Sequence, residues 1–127
     1  MVDRRKIGKA SREKGKRGER ELASILRQRG YTDAKRGQQY CGSNGDADVT
    51  GLPGVHIECK RVEKLNIEAA MEQSRSDAKD GEIPVVAHRK DRKPWLLTMD
   101  LLDFLEIYEK GEKRNEEAGD ENRKDGD

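Results

Sequence analysis

The sequence predicts an α/β or α+β protein in which helices flank a small mixed β-sheet, in the order α-β-β-β-α-β-β-α. Three observations support this class. The chain has 127 residues, about the length of one average domain. Apolar residues recur with helical spacing in three segments, and short apolar runs bounded by Gly and Pro lie between those segments. A chain of this length, of which 31% is hydrophobic, has no room for a second full core.

The elements are predicted in order along the chain. The first helix covers about 11–29, with Gly30 as its stop, and its apolar face carries Leu22, Ala23, Ile25 and Leu26. The second helix covers 66–79, and the third begins after Asp100 as N-cap and ends near Gly111. Strands are predicted at residues 31–35, 47–50, 55–60, 83–88 and 94–99.

The chain is expected to divide into three parts. Residues 1–12 would form a flexible basic arm, and residues 13–111 would form one folded domain. Residues 112–127 contain no aliphatic side chain larger than that of Ala118 and alternate charges with Gly and Asn. Such a composition is typical of a disordered tail.

The net charge of +1 conceals an uneven distribution. Residues 1–40 hold 13 basic and 5 acidic side chains, residues 41–108 hold 9 and 13, and residues 109–127 hold 5 and 8. A basic segment before an acidic body suggests a site for a polyanion, and a solvated basic helix face is the alternative.

Composition also indicates where the protein works. No apolar run approaches the roughly 20 residues that span a bilayer, and the basic start of the chain lacks the apolar core of a secretory signal. Two cysteines, Cys41 and Cys59, in so polar a chain do not suggest a disulfide framework. We therefore expect a reduced, cytoplasmic protein that is not in a membrane.

The segment VHIECK places chemistry on a buried strand. Alternation puts Glu58 and Lys60 on one face, together with His56, and Cys59 on the other. A carboxylate and an ammonium two residues apart suit a divalent ion and the water or phosphate oxygen beside it. One Glu-x-Lys is expected by chance in a chain with this many Glu and Lys residues. Whether Glu58 and Lys60 form a functional site therefore depends on the residues around them.

Two further acids supply that context. Asp48 lies ten residues before Glu58, and the turn GLPG would pair the two segments as a hairpin that brings both carboxylates to one end of the sheet. At 100° per residue, Glu19 falls inside the apolar stripe of the first helix, although a core-edge Glu paired with an Arg would look the same. Gly15 and Gly18 would allow close approach of the sheet or of a phosphate backbone.

These residues together resemble the PD-(D/E)xK nuclease superfamily, and within it the archaeal-type Holliday-junction resolvases and related phage-encoded nucleases. The resemblance spans about residues 14–99, through GKRGERELASILRQRGY, CGSNGDADVTG and VHIECK. It implies a restriction-endonuclease-like core. The site residues it implies are the metal ligands Glu19, Asp48, Glu58 and the backbone carbonyl of Cys59, with Lys60 as the residue that positions water and Ser43 as a phosphate contact.

This sequence departs from the family pattern at three positions. Ala47 replaces the usual Pro, and Asp46 beside Asp48 leaves the second motif ambiguous. Gln73 is the candidate for a Gln that many members carry on the helix after Glu-x-Lys, and an ordinary exposed Gln is the alternative.

The resemblance implies a Mg²⁺-dependent, structure-selective DNA endonuclease, with Mn²⁺ as a substitute, that acts in recombination or repair. It would cut four-way or other branched junctions as a homodimer, leaving 5′-phosphate and 3′-hydroxyl ends, in the host cytoplasm if phage-encoded. The dimer would use the apolar face of the last helix or the strands at 83–99. The alternatives are another PD-(D/E)xK nuclease and a non-catalytic DNA-binding relative. The expected DNA contacts are Arg12, Lys16, Arg17, Arg20, Lys35, Arg36 and Ser43.

Three other patterns carry less weight. Zinc is not expected, because no C-x₂-C or H-x₃-H spacing occurs and His56 and Cys59 lie on opposite strand faces. Trp95 is expected in the core with Leu96 and Leu97, although base stacking by Trp95 is an alternative. The basic run Arg89–Lys93 reads as a solvated turn or as a secondary contact to the DNA backbone.

Overall fold

A five-stranded mixed sheet organises the computed structural model, which describes residues 4–37 and 47–125. The strands lie in the order β1-β2-β3-β4-β5, and every neighbouring pair is antiparallel except β3 and β4, which are parallel. This order confirms the predicted α/β class. The elements are α1 (Arg4–Gln28), β1 (Lys35–Arg36), β2 (Val49–Thr50), β3 (Val55–Arg61), α2 (Ile67–Asp77), β4 (Ile83–Arg89), β5 (Leu96–Met99) and α3 (Leu101–Asp125).

The turn between β2 and β3 forms the predicted hairpin. Val49 lies opposite Ile57, and Gly51 adopts a φ of 109° that a side chain would disfavour. A Cβ at Gly51 would also lie 2.5 Å from the Cα of Ala34, so the chain can pass that close only with glycine. This turn sets the position of Asp48 relative to β3.

The two faces of the sheet are covered by different helices. Since strand side chains alternate, neighbouring residues of β3 and β4 enter different cores. Helix α1 covers one face and α2 covers the other. The α1-side core contains Leu22, Ala23, Val49, Ile57, Cys59, Val85 and Ala87, and the α2-side core contains Ala70, Met71 and Val86.

Helix α2 connects the parallel strands β3 and β4, as a crossover of this kind requires. Asn66 caps its N-terminus, since the Asn66 side chain accepts a hydrogen bond from the Ala69 amide at 3.1 Å. The buried Ser74 hydroxyl donates to the Val85 carbonyl oxygen at 3.0 Å. The same hydroxyl lies 3.4 Å from the His56 carbonyl oxygen, so the helix is fixed over both β4 and β3, the strand that carries Glu58.

Both ends of the chain differ from the prediction. Helix α1 begins at Arg4, where a flexible arm was predicted, and α3 continues to Asp125, through the predicted stop at Gly111 and the predicted tail. Lys, Arg, Glu and Ala favour helix, and one internal Gly costs only about 1 kcal/mol. Without Pro, neither segment contains a strong helix breaker. The division into domains stays a prediction.

The start of α3 presents apolar side chains to solvent. Leu101, Leu102, Phe104 and Tyr108 are exposed, and the rings of Phe104 and Tyr108 stack with centroids 6.1 Å apart. Asp100 occupies the predicted N-cap position, since its carbonyl oxygen accepts a hydrogen bond from the Phe104 amide at 3.1 Å. Its carboxylate accepts two hydrogen bonds from Arg75, at 3.0 and 2.6 Å. Within the described residues, no helix has the length and apolarity that crossing a membrane requires.

Candidate functional site

The hairpin brings two acidic side chains together. Asp48 directly precedes β2, and Glu58 lies in the middle of β3. The Asp48 Oδ2 accepts a hydrogen bond from the Cys59 amide at 2.8 Å, and the Asp48 amide donates to the Ile57 carbonyl oxygen at 2.9 Å. Asp48 is therefore held against β3 at both its backbone and its side chain.

The two acids are buried where negative charge is costly. Asp48 is 8% exposed and Glu58 is 1% exposed. Burial raises the pKa of Asp48 to about 6, with a further contribution from the charge of Glu58, although the Cys59 amide opposes the shift. Burial also raises the pKa of Glu58, while hydrogen bonding to Asp48 and the charge of Lys60 partly offset it. A cation beside both carboxylates would relieve this repulsion.

His56 bonds to Glu58 and Asp77 lies near it, and the sequence did not predict either as a site residue. The His56 Nε2 lies 2.9 Å from the Glu58 Oε1, and both side chains are almost fully buried. One ligand atom from each of His56, Glu58 and Asp77 lies within 4.8 Å of the others. The alternation of VHIECK already placed His56 on the same strand face as Glu58, and this was the signal that could have identified His56. For Asp77 the signal was its position one turn after Ser74, which was predicted on the inner face of α2.

Lys60 lies beside Gln73. The Lys60 Nζ donates to the Gln73 Oε1 at 3.4 Å, and its charge lowers the pKa values of Asp48 and Glu58. The sequence left Gln73 open between a site residue and an ordinary exposed Gln. The structure places its amide next to the ammonium group predicted to position water.

Glu19 is near the site but has a basic partner. Its carboxylate accepts a hydrogen bond from the Arg36 Nε at 2.8 Å, and its charge raises the pKa of Glu58 and of the Cys59 thiol. The alternative of a Glu paired with an Arg therefore describes this contact. Arg36, predicted to contact DNA, is half-buried in that ion pair.

Cys59 contributes its backbone to the site. Its thiol belongs to the α1-side core, and burial raises the pKa of this thiol to about 12. The N–H and C=O of one strand residue point toward the same neighbouring strand. The Cys59 carbonyl therefore faces the side on which its amide meets the Asp48 carboxylate, as a backbone ligand requires.

The basic residues of α1 lie along its exposed surface. Arg12, Lys16, Arg17 and Arg20 are exposed, and Lys16 lies 4.0 Å from the carboxylate of Glu13. On β1, Lys35 is also exposed. The four side chains of α1 form a cationic surface on the helix that also carries Glu19.

The two glycines of this helix differ in their surroundings. A Cβ at Gly18 would lie 2.9 Å from the Cβ of Arg61, whereas a Cβ at Gly15 would meet no heavy atom within 4 Å. Gly18 thus permits close packing of α1 on β3. Ser43 and Asp46 lie outside the described residues.

Trp95 takes the predicted core position, whereas Leu96 and Leu97, predicted in the core with it, are exposed on the edge strand β5. Trp95 is partly buried and packs against the α1-side core, and its indole N–H donates to the Glu21 carboxylate at 2.8 Å. The same carboxylate pairs with Arg89. Trp95 and the pair of Glu21 with Arg89 are therefore not part of the acidic site.

The donor set fits a hard divalent cation. Asp48 and Glu58 provide carboxylate oxygens whose charges repel each other in a buried setting, and the Cys59 carbonyl faces the same region. His56, Glu58 and Asp77 form a second donor set that shares Glu58. The first set offers oxygen donors only, which a hard cation prefers, whereas in the second set the imidazole of His56 already bonds to Glu58.

Comparison with protein families gives one match that covers most of the chain. The sequence model of the family described as phage putative PDDEXK endonuclease matches residues 10–123. No curated protein and no solved structure is significantly similar to the chain.

Proposed function

Since the chain belongs to the phage PDDEXK endonuclease family, we propose that it is a Mg²⁺-dependent, structure-selective DNA endonuclease of the Holliday-junction resolvase type. Its reaction would be hydrolysis of phosphodiester bonds in branched DNA, with Mn²⁺ able to replace Mg²⁺. The observation that carries this proposal is the contact between the buried Asp48 and Glu58 carboxyl groups, next to Lys60.

Each residue has a role that its position supports. Asp48, Glu58 and the Cys59 carbonyl would hold the cation, which would activate the attacking water and stabilise the leaving oxygen. Lys60, with Gln73 beside it, would orient that water for in-line attack. The strand would then separate into 5′-phosphate and 3′-hydroxyl ends.

Glu19 would act next to this set. Its carboxylate is close enough to raise the pKa of Glu58, and Arg36 neutralises part of its charge. Release of Arg36 toward a DNA phosphate would free Glu19 as a third ligand. Arg36 would then contribute both to the resting ion pair and to DNA binding.

DNA would lie along the exposed cations of α1, namely Arg12, Lys16, Arg17 and Arg20, with Lys35 beyond them. Two copies would cut opposite strands as a C₂ dimer. The exposed apolar side chains at the start of α3 are one candidate interface, and β5 at the sheet edge, with Leu96 and Leu97 exposed, is the other.

Plasmid nicking with Mg²⁺ or Mn²⁺ tests this function. The plasmid carries an inverted repeat, which supercoiling extrudes as a four-way junction. Wild-type protein should convert this plasmid to nicked circles, and Asp48→Asn and Lys60→Ala should not. If wild-type protein cleaves nothing, or if both variants cleave as well as wild type, the proposed site is wrong.

Two other functions make different predictions for the same assay. A PD-(D/E)xK nuclease for other DNA would nick plasmids with and without the inverted repeat equally. A non-catalytic relative would bind DNA and leave it intact. The acid and lysine positions of the motif are all present, which favours turnover.

A further inference from the structure

A groove of about 900 Å³ opens on the α2 side of the sheet, between the segment after β3 and the segment between β4 and β5. Its apolar wall is formed by Leu65, Ile67, Pro94 and Leu96. Leu96 is 56% exposed. The volume lies within the range of about 300–1,000 Å³ that is usual for organic ligands.

Three lysines surround this apolar wall. Lys64, Lys90 and Lys93 line the groove, and their ammonium groups form no ion pair or side-chain hydrogen bond with any other described residue. The other charged groups of the groove are already engaged: Glu63 is 3.7 Å from Lys14, and Arg89 pairs with Glu21. The groove therefore combines an apolar wall with three positive charges available to an anion.

The groove begins next to the acidic site. Lys60 of β3 pairs in register with His88 of β4, and His88 lines the groove. Paired residues of neighbouring strands place their side chains on the same face. The side chains of Lys60 and His88 are therefore neighbours, and a DNA strand bound at Lys60 would lie next to the groove.

We propose that this groove binds unpaired nucleotides of the DNA strand that adjoins the cleavage site. Phosphates would contact Lys64, Lys90 and Lys93, and an unstacked base would pack on Leu65 and Leu96. This inference rests on the proposed nuclease function, and it names the part of a branched substrate that the groove would hold: nucleotides unpaired at the branch point, next to the scissile phosphate.

The apolar wall favours an unpaired strand over a duplex. A duplex is wider than such a groove and keeps its bases stacked inside, so it would stay outside the groove, leave the wall in contact with water and make no close phosphate contact with Lys90 and Lys93. An unpaired strand offers phosphates and base faces at once, which is how charged grooves bind single strands. Here the base-contacting groups are aliphatic instead of aromatic.

Fluorescence anisotropy in EDTA, which prevents cleavage, tests the proposal with a labelled oligothymidine of about 12 nucleotides and a duplex of equal length. The double variant Lys90→Gln, Lys93→Gln removes two phosphate contacts. Each contact contributes a salt slope of about 0.7 for single strands, so single-strand affinity should fall about 25-fold at ~0.1 M salt. Duplex affinity should fall less than about threefold.

The matched control is Lys110→Gln, Lys113→Gln, which removes the same charge from exposed positions of α3. It should change single-strand affinity by less than about threefold. Leu96→Ser should weaken single-strand binding without changing the salt slope, since it removes an apolar contact.

Three outcomes would overturn the groove proposal. They are equal effects of the two double variants, equal losses for duplex and single strand, or no effect of Leu96→Ser. Plasmid nicking by wild-type protein tests the nuclease function independently of the groove. Wild-type protein that nicks plasmid while the groove variants bind like the control would refute the groove and leave the nuclease function standing.

Discussion

Replacing Asp48 with Asn should stabilise the metal-free protein while abolishing cleavage. The pKa of Asp48 rises from 3.8 to about 6 because the carboxyl group is buried next to Glu58. At about 1.4 kcal/mol per pKa unit, an ionised Asp48 costs the folded state about 3 kcal/mol. Asn removes the charge and keeps an oxygen that can accept the Cys59 N–H, so a gain of about 2 kcal/mol is expected after imperfect geometry is allowed for.

The gain should depend on pH in a defined direction. A raised pKa means that the folded state binds the Asp48 proton more tightly than the unfolded state does. The stability that this proton contributes is present below about pH 3.8 and is lost as the pH rises through about 6. Asp48→Asn should therefore match wild type near pH 4 and exceed it above about pH 7.

Urea unfolding at about pH 4 and pH 8 measures this difference, with Asp80→Asn, at an exposed position, as the control. Adding Mg²⁺ at the higher pH should raise the unfolding free energy of wild type and not that of the variant. Equal stability of wild type and Asp48→Asn at pH 8, or an equal gain at both pH values, would refute the assignment of a buried repulsive charge.

Three other substitutions test separate parts of the structure. Lys60→Ala should lower the nicking rate by on the order of 100-fold or more, because it removes the group proposed to orient water. The Mn²⁺ affinity of this variant, measured by calorimetry, should stay near that of wild type. The control Lys79→Ala, at an exposed position, should nick plasmid at nearly the wild-type rate. His56→Leu should weaken Mn²⁺ binding by about 10–100-fold, because His56 holds Glu58, and His56→Gln should restore most of it; wild-type affinity in His56→Leu would show that His56 does not position Glu58. Gly18→Ala should destabilise the protein by about 1–3 kcal/mol, because its Cβ would meet Arg61 at 2.9 Å. Gly15→Ala, with open space around its Cβ, should stabilise it by up to about 1 kcal/mol in thermal unfolding; equal effects would contradict the close packing of α1 on β3.

Local patterns were enough to predict the order of the elements and the central hairpin. The GLPG turn and the alternation of VHIECK predicted that Asp48 and Glu58 approach each other, and the structure confirms the hairpin. Helix ends were predicted less well. Glycine at 111 and the polar composition after it suggested a stop, whereas the charged residues there favour helix strongly enough to continue it.

Long-range partners could not be read from the sequence. Arg36 lies 17 residues from Glu19, and Asp77 reaches Glu58 only through the crossover of α2, so no local spacing reveals either contact. His56 was visible on the same face as Glu58, yet its role depends on burial, which alternation does not measure. The groove required the pairing of β3 with β4, which brings two distant lysine-containing segments together.

Cleavage of a four-way junction with each strand labelled at its 5′ end, beside a linear duplex of matched sequence, tests the central claim most directly. With Mg²⁺, wild-type protein should cut two opposite strands of the junction symmetrically and leave the duplex intact, while Asp48→Asn and Lys60→Ala cut neither. Equal cutting of junction and duplex would contradict the resolvase activity, and junction cutting that persists in both variants would contradict the site itself.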